Sequence, residues 1–260
     1  MNKKIELKNI TDSLLHTFIE AGKQAKNISH RGVKIVMKSD NTPVTDGDLL
    51  VDKMLREKIS SLTPDIPIIS EETVNIDKEN NHKNFWLVDP IDGTKDYIKK
   101  KDEYTLNAAL IINLEPAIGI IYAPEKNRLF YSYGHGHAYE VSSGEKIILN
   151  CKKKTEKGKV FAVHNSSDLT PDILEIHKKN KVHSFVKMSS SLKFCVLAAG
   201  ETDLYAARAR AYEWDIAAGH AIVNHSGGLF TTSDGKKIFY GKKGYKNPAI
   251  LIKRSLSLNE

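Results

Sequence analysis

Apolar residues recur at helical spacing over residues 10–25, where Ile10, Leu14, Leu15, Phe18, Ile19 and Ala25 share one face and Asp12, Glu20 and Lys23 fall off it. That pattern predicts an amphipathic helix. A turn-rich stretch, KSDNTPVTDGD at 38–48, leads into a second helix marked by Leu50, Val51, Met54, Leu55, Ile59 and Leu62. Thr45 and Asp48 have the spacing of a capping box at its start, so helix capping is the ordinary structural role for Asp48. Beyond Pro64 the helical period gives way to short apolar runs. Residues 66–70 and 85–88 read as strands, and each runs into acids: Glu71 and Glu72 after the first, Asp89 and Asp92 after the second. Between them VNIDKENNHKN is a polar loop, and the strand at 85–88 is expected to stop at Asp89 and Pro90. Apolar runs at 105–113, 117–122, 128–133, 137–141 and 146–149, separated by turn formers, predict an antiparallel meander.

The rhythm changes after a charge run without periodicity, NCKKKTEKGK at 150–159, which reads as a boundary. Strands at 160–163, 183–188 and 204–206 alternate with helices at 171–180, 191–199 and 215–225. Alternation of this kind argues for an α/β second half, residues 151–260, after an α+β first half, residues 1–150. No internal repeat or low-complexity segment interrupts either half.

With 260 residues, 40% of them hydrophobic, the chain can bury a sizeable core. No stretch approaches the roughly 18–20 apolar residues a membrane span needs, and the start lacks a signal-peptide pattern, so a soluble, cytoplasmic protein is expected. Cys151 and Cys195 are far apart and have no His or Cys at zinc-ligand spacing, which indicates neither disulfide nor zinc. His135 and His137, in GHGH, read as a hairpin loop rather than a metal dyad. The net charge of +7 is unevenly spread. Residues 1–150 hold 20 Lys and Arg against 22 Asp and Glu, a net −2; residues 151–260 hold 19 against 10, a net +9. An acidic cluster joined to a basic half is compatible with metal-dependent chemistry on a polyanion, and equally with a lysine-rich, solvated surface.

Carboxylates gathered at strand ends need a counter-charge, because desolvating them side by side is unfavourable without a cation or hydrogen bonds. Asp89 and Asp92 therefore suggest a metal site. Ser189, Ser190 and Ser191 precede a helix with Lys193 in its first turn, a set that reads as N-capping or as an anion site. Lys193 favours the anion, since a cation is unfavourable at that end of the helix dipole. In WDIAAGHAIVNHSGG at 214–228, Asp215 opens a helix whose small residues Ala217, Ala218, Gly219 and Ala221 allow close packing, and plain N-capping is its ordinary role.

The ordered set VTDGD at 44–48, SEE at 70–72, LVDPIDGT at 87–94 and WDIAAG with a distal GG resembles the inositol monophosphatase superfamily of magnesium-dependent, lithium-sensitive phosphatases, over nearly the whole chain. KSDNTPVT, DGTKDYIK, YAPE and SSLKFC are similar to the CysQ-type 3'(2'),5'-bisphosphate nucleotidases within it. The resemblance implies a layered α-β-α-β-α sandwich of the sugar-phosphatase type. It implies two or three Mg2+ ions held by Glu71, Asp89, Asp92, Asp215 and the carbonyl of Ile91, and an attacking water oriented by Asp48 and Thr94. Gly93 would let the backbone approach the phosphate. Ser190, Lys193 and Arg208 would complete a site for a small bisphosphate nucleotide, with the carboxylates, Ile91, Gly93 and Thr94 on its reacting side. The pattern departs at His164–Ser167, where relatives carry SRSH, and at Ala207, where they carry arginine; Arg208 or Arg210 would substitute. The implied reaction is hydrolysis of the 3'-phosphate of 3'-phosphoadenosine 5'-phosphate to AMP, and of the corresponding phosphosulfate, in sulfur assimilation and nucleotide recycling. Inositol monophosphate or bisphosphate hydrolysis is the alternative, and a non-catalytic nucleic-acid module is disfavoured by the lack of an aromatic-interleaved basic stripe. Monomer or homodimer, and peripheral attachment to the inner face of the cell membrane, stay open at this point.

Overall fold

The computed structural model describes residues 3–38, 41–78, 80–152, 158–255 and 258. Helix α1 (Lys3–Arg31) buries Leu14, Phe18, Ala21 and Ala25, and stops at Gly32, whose φ of +100° lies in the left-handed region. It is longer at both ends than its apolar stripe, because periodicity marks the buried face and not the polar turns beyond it. A two-stranded hairpin, β1 (Ile35–Met37) and β2 (Pro43–Thr45), delivers the chain to α2 (Asp46–Leu62), which buries Val51, Leu55 and Ile59. Residues 39 and 40 of the turn-rich stretch lie outside the described residues.

The first sheet has seven strands in chain order: β3 (Ile68–Ser70), β4 (Phe85–Asp92), β5 (Thr105–Ile112), β6 (Glu115–Ala123), β7 (Arg128–Ser132), β8 (Ala138–Ser142) and β9 (Glu145–Ile148). β3 and β4 are parallel and every later pair is antiparallel, so the expected meander is present and GHGH is the β7–β8 turn. β4 does not stop at Asp89. Pro90 interrupts the ladder, and the register slips so that Asp89 faces Asn107 while Asp92 faces Thr105. Three residues on one strand thus span two on the other, which is a bulge. It matters chemically: in a regular strand residues three apart point to opposite faces, but here both carboxylates share one.

The second sheet has the order β11 (Val182–Lys187), β10 (Val160–His164), β12 (Leu204–Ala207), β14 (Ile250–Lys253), β13 (Leu229–Thr232). β10 is parallel to both β11 and β12, as the strand–helix alternation predicts, while β14 is antiparallel to its neighbours. Of the charge run at 150–159, residues 153–157 lie outside the described residues.

Three clusters of buried side chains define the layers. α1 and α2 cover one face of the first sheet through Leu14, Phe18, Val51, Leu55, Trp86 and Val88. Its other face packs on α5 (Leu192–Ala198) and α6 (Glu213–His225), which also cover the second sheet through Phe194, Ala217, Tyr205, Phe230 and Ile252. α4 (Pro171–Lys179) closes the far side with Ile173 against Ala162 and Leu204. The result is the α-β-α-β-α sandwich. Gly119 on β6 makes the central layer fit: a Cβ there would sit 2.3 Å from the carbonyl oxygen of Ala218 on α6. A Cβ at Gly219 would likewise meet Phe194 at 2.3 Å.

Candidate active site

Glu71 follows β3, and its N–H donates to the Val88 carbonyl (3.1 Å), which fixes it beside the end of β4. The bulge of β4 supplies Asp89 and Asp92. Asp215 comes from α6, which begins at Glu213 rather than at Asp215; Tyr212 is its N-cap residue. Asp215 therefore lies in the first turn and accepts the Tyr212 N–H at 2.8 Å instead of capping the helix itself. Oxygens of Glu71, Asp89 and Asp215 lie within 4.8 Å of one another. Asp92 is tied to the same group, since Ser191 Oγ contacts both its carboxylate (2.7 Å) and the main-chain oxygen of Asp215 (3.0 Å).

The electrostatics are those of a cluster without its counter-charge. Burial, then Glu71, Asp92 and Asp215, pushes the Asp89 carboxyl well above the usual carboxylate range. Asp215 is raised for the same reasons, burial first and then Asp92 and Glu71. Glu71 is pushed up to about 7, mainly by burial, with Lys38 pulling it down and Glu72 and Asp92 pushing it further up. Lys38 Nζ lies 3.6 Å from Glu71 and 2.8 Å from Glu72, too little positive charge for five acids. Asp89 is 1% exposed and its Oδ1 has no hydrogen-bond partner. An orphaned anionic oxygen among hard oxygen donors is what a divalent cation of the magnesium type would satisfy, and what zinc would not select.

Asp48 divides its two oxygens. Oδ2 accepts the Thr45 N–H (2.8 Å) and Thr45 Oγ1 (2.6 Å), completing the capping box, while Oδ1 lies 3.2 Å from Thr94 Oγ1. Thr94 Oγ1 is also 3.1 Å from the Ile91 carbonyl. Gly93, at φ +95°, turns the chain from β4 into α3 (Thr94–Ile98).

A cavity of about 520 Å³ opens in front of this group. Glu71, Asp92, Gly93, Thr94 and Asp215 line it together with Lys193, Tyr205, Arg208, Arg210 and Tyr212. Asp89 and Ile91 lie behind the wall, each about as buried as the core. The helix at 192–198 offers less than its serines suggest. Ser191 is spent on Asp92, Ser190 Oγ on the Glu103 carbonyl, and Ser189 Oγ on Asp96 (2.5 Å) and Glu103 (2.9 Å). Lys193 is buried and its Nζ turns back onto the Ser190 carbonyl; desolvation lowers its pKa, against the pull of Asp92 and Asp215. Arg208 is clamped by Asp172 (2.6 and 2.9 Å), whereas Arg210 makes no ion pair among the described residues. Ser167 stands where relatives carry the phosphate-binding histidine, and His164, three positions earlier, meets His177 Nε2 at 2.6 Å. Lys38 and Tyr212 were not singled out from sequence, and Ser191 was read only as a cap or anion-site hydroxyl. Lys38 opens the KSDNTPVT motif and Ser191 sits in SSLKFC, so motif membership was the available signal.

The inositol monophosphatase family model matches residues 6–257. The chain belongs to that family. Members are metal-dependent, in keeping with the carboxylate cluster. Among its relatives is the 3'(2'),5'-bisphosphate nucleotidase CysQ of Buchnera aphidicola subsp. Acyrthosiphon pisum, 36% identical over 213 residues, 82% of this chain and 79% of that protein. The CysQ of Aggregatibacter actinomycetemcomitans is 31% identical over 251 residues, covering 94% and 93%. The crystal structure of CysQ from Bacteroides thetaiotaomicron superposes with a TM-score of 0.76 at 26% identity, over 95% of this chain and 97% of that one. No helix among the described residues is long and apolar enough to cross a membrane.

Proposed function

We propose that this protein is a Mg2+-dependent 3'(2'),5'-bisphosphate nucleotidase that removes the 3'-phosphate of 3'-phosphoadenosine 5'-phosphate, giving AMP and phosphate. The observation that carries it is the convergence of four carboxylates from the end of β3, the β4 bulge and α6, one with an orphaned buried oxygen, on a cavity also lined by cationic and aromatic side chains. The similarity to curated CysQ nucleotidases over most of the chain supports the same reading. Glu71, Asp89, Asp92, Asp215 and the Ile91 carbonyl would hold two or three ions. Mg2+ held there would supply charge neutralisation at the phosphate oxygens, a more acidic nearby water and stabilisation of the leaving alkoxide.

The chain's own residues do the rest. Asp48, held by Thr45, takes the Thr94 hydroxyl proton as a hydrogen bond, which leaves a Thr94 lone pair to accept from water. The pair thus orients the attacking water and draws its proton towards Asp48. Gly93 has no side chain between the phosphate and the backbone. Lys193 and Arg208 bind the second phosphate, and Arg210, without an ion pair among the described residues, adds a third cation. Ser190 joins them once its hydroxyl leaves Glu103. The stacked pair Tyr212 and Trp214 (4.7 Å, 11°) leaves a Tyr212 face at the cavity for the base. In this arrangement residues 1–150 supply the water-orienting pair and every metal ligand but Asp215, and residues 151–260 supply Asp215 and most of the substrate contacts.

The test is phosphate release from bisphosphate nucleotides and inositol phosphates, with Mg2+ and with added Li+. The nucleotide should have the highest kcat/KM, Li+ should inhibit, and Asp92→Asn should abolish turnover. A higher kcat/KM for an inositol phosphate would overturn the substrate assignment.

A further inference from the structure

The face of β5 that packs on α6 carries Ala109 and Ile111, and then turns polar where it passes the carboxylates. Asn107 lies opposite Asp89 in the ladder and Thr105 opposite Asp92. Directly opposed residues of an antiparallel pair point to the same face, with Cβ atoms about 4.5–5.5 Å apart. Asn107 is 1% exposed, and neither its amide nitrogen nor its amide oxygen has a hydrogen-bond partner. Asp89 Oδ1, across the ladder, has none either. A buried amide with both ends unpaired is costly and rare in a native core. Here a donor without an acceptor faces an acceptor without a donor.

We propose that Asn107 is the positioning residue for Asp89: with a divalent cation on one carboxylate oxygen, Asn107 Nδ2–H donates to Oδ1 and holds the carboxylate in its ligating orientation. The pairing is specific to Asp89. The other orphan hydroxyl of the strip, Thr105 Oγ1, faces Asp92, whose carboxylate already accepts from Ser191. Outer hydrogen bonds of this kind fix ligand geometry and commonly carry 10–100-fold in metal affinity. Without the cation neither end of the Asn107 amide has a partner, so the side chain adds nothing to the fold.

The inference rests on the reading of the carboxylates as a metal site. The experiment titrates Mg2+ into the full-length protein and its Asn107→Leu and Asn107→Ser variants by calorimetry, with melting curves in EDTA and in Mg2+. Asn107→Leu, near-isosteric but without a donor, should melt at or above the wild-type temperature in EDTA and weaken the Mg2+ Kd about 10–100-fold. Its kcat at saturating Mg2+ should stay within a few-fold, with the loss in the apparent KM for Mg2+. Asn107→Ser keeps a hydroxyl donor and should recover part of the affinity. A wild-type Kd in both variants would overturn the assignment, as would weaker binding that only parallels a lower melting temperature in EDTA. Failure of the wild type itself to bind Mg2+ would instead overturn the metal reading.

Discussion

Replacing Asp89 by Asn should stabilise the metal-free protein and abolish its response to Mg2+. Oxygens of Glu71, Asp89 and Asp215 lie within 4.8 Å of one another, and two unit charges at that distance repel by about 3 kcal/mol at an effective dielectric near 20. Asp89 takes part in two of the three pairs. Burial and the neighbouring acids already favour the protonated carboxyls and relieve part of that repulsion, so no more than about one pair's worth, roughly 2–3 kcal/mol, should be recovered at pH 8. For a chain of this length that is about 4–6 °C in melting temperature. Mg2+ at about 1,000 times its Kd adds about 4.1 kcal/mol to the wild type and little to the variant, so the order of stabilities should reverse between EDTA and Mg2+. Differential scanning fluorimetry at pH 8 in both buffers reads this directly. An Asp89→Asn protein that melts below the wild type in EDTA, or that keeps the full Mg2+ shift, would refute the reasoning.

Three further outcomes are expected. Glu71, Asp89 and Asp215 have folded-state pKa values raised above their unfolded ones, so the folded protein binds the extra protons and its stability should fall as pH rises from about 4.5 through 7 in EDTA. Melting curves across that range should show the slope, and Mg2+ should flatten it. Thr94→Ala should cut kcat about 10²–10⁴-fold while leaving the Mg2+ Kd from calorimetry nearly unchanged, because Thr94 orients water and its side chain is not a ligand in this scheme. Gly119→Ala should drive α6 off the first sheet, since the added Cβ meets a backbone oxygen at 2.3 Å. Overpacking of this kind costs about 1–3 kcal/mol. Because α6 carries Asp215, Mg2+ affinity measured by calorimetry should fall together with the melting temperature.

Most strands and helices were legible because the period of their apolar residues is a local property: Leu14, Phe18 and Ala25 announce α1 without knowledge of what covers them. The hairpin β1–β2, the one-turn helix α3 and the strands β13 and β14 were not, being too short or too mixed to show a period. At the site, the acids could be named from their motifs, yet no pattern explains how Asp89 and Asp92, three apart, come to share a face. That depends on the bulge at Pro90, which is a property of two strands and not of one. The capping reading of Asp48 and its place beside Thr94 proved compatible because a carboxylate has two oxygens. The serines before α5 misled as a helix cap: Ser191 has no capping hydrogen bond, since its hydroxyl is turned to Asp92 and Asp215.

The seating of α6 against the first sheet sets an order of events during synthesis. Glu71, Asp89 and Asp92 leave the ribosome well before Asp215, which follows Asp89 by 126 positions. At 5–20 residues per second the gap is roughly 6–25 s. Throughout it the nascent chain carries three of its four acids but not the helix that supplies the last and covers Leu87 and Ala109. On the proposed ligand set, cation capture would therefore be a late step and a proofreader of completed chains: only a protein whose α6 has docked would hold the metal with Asp215 in place.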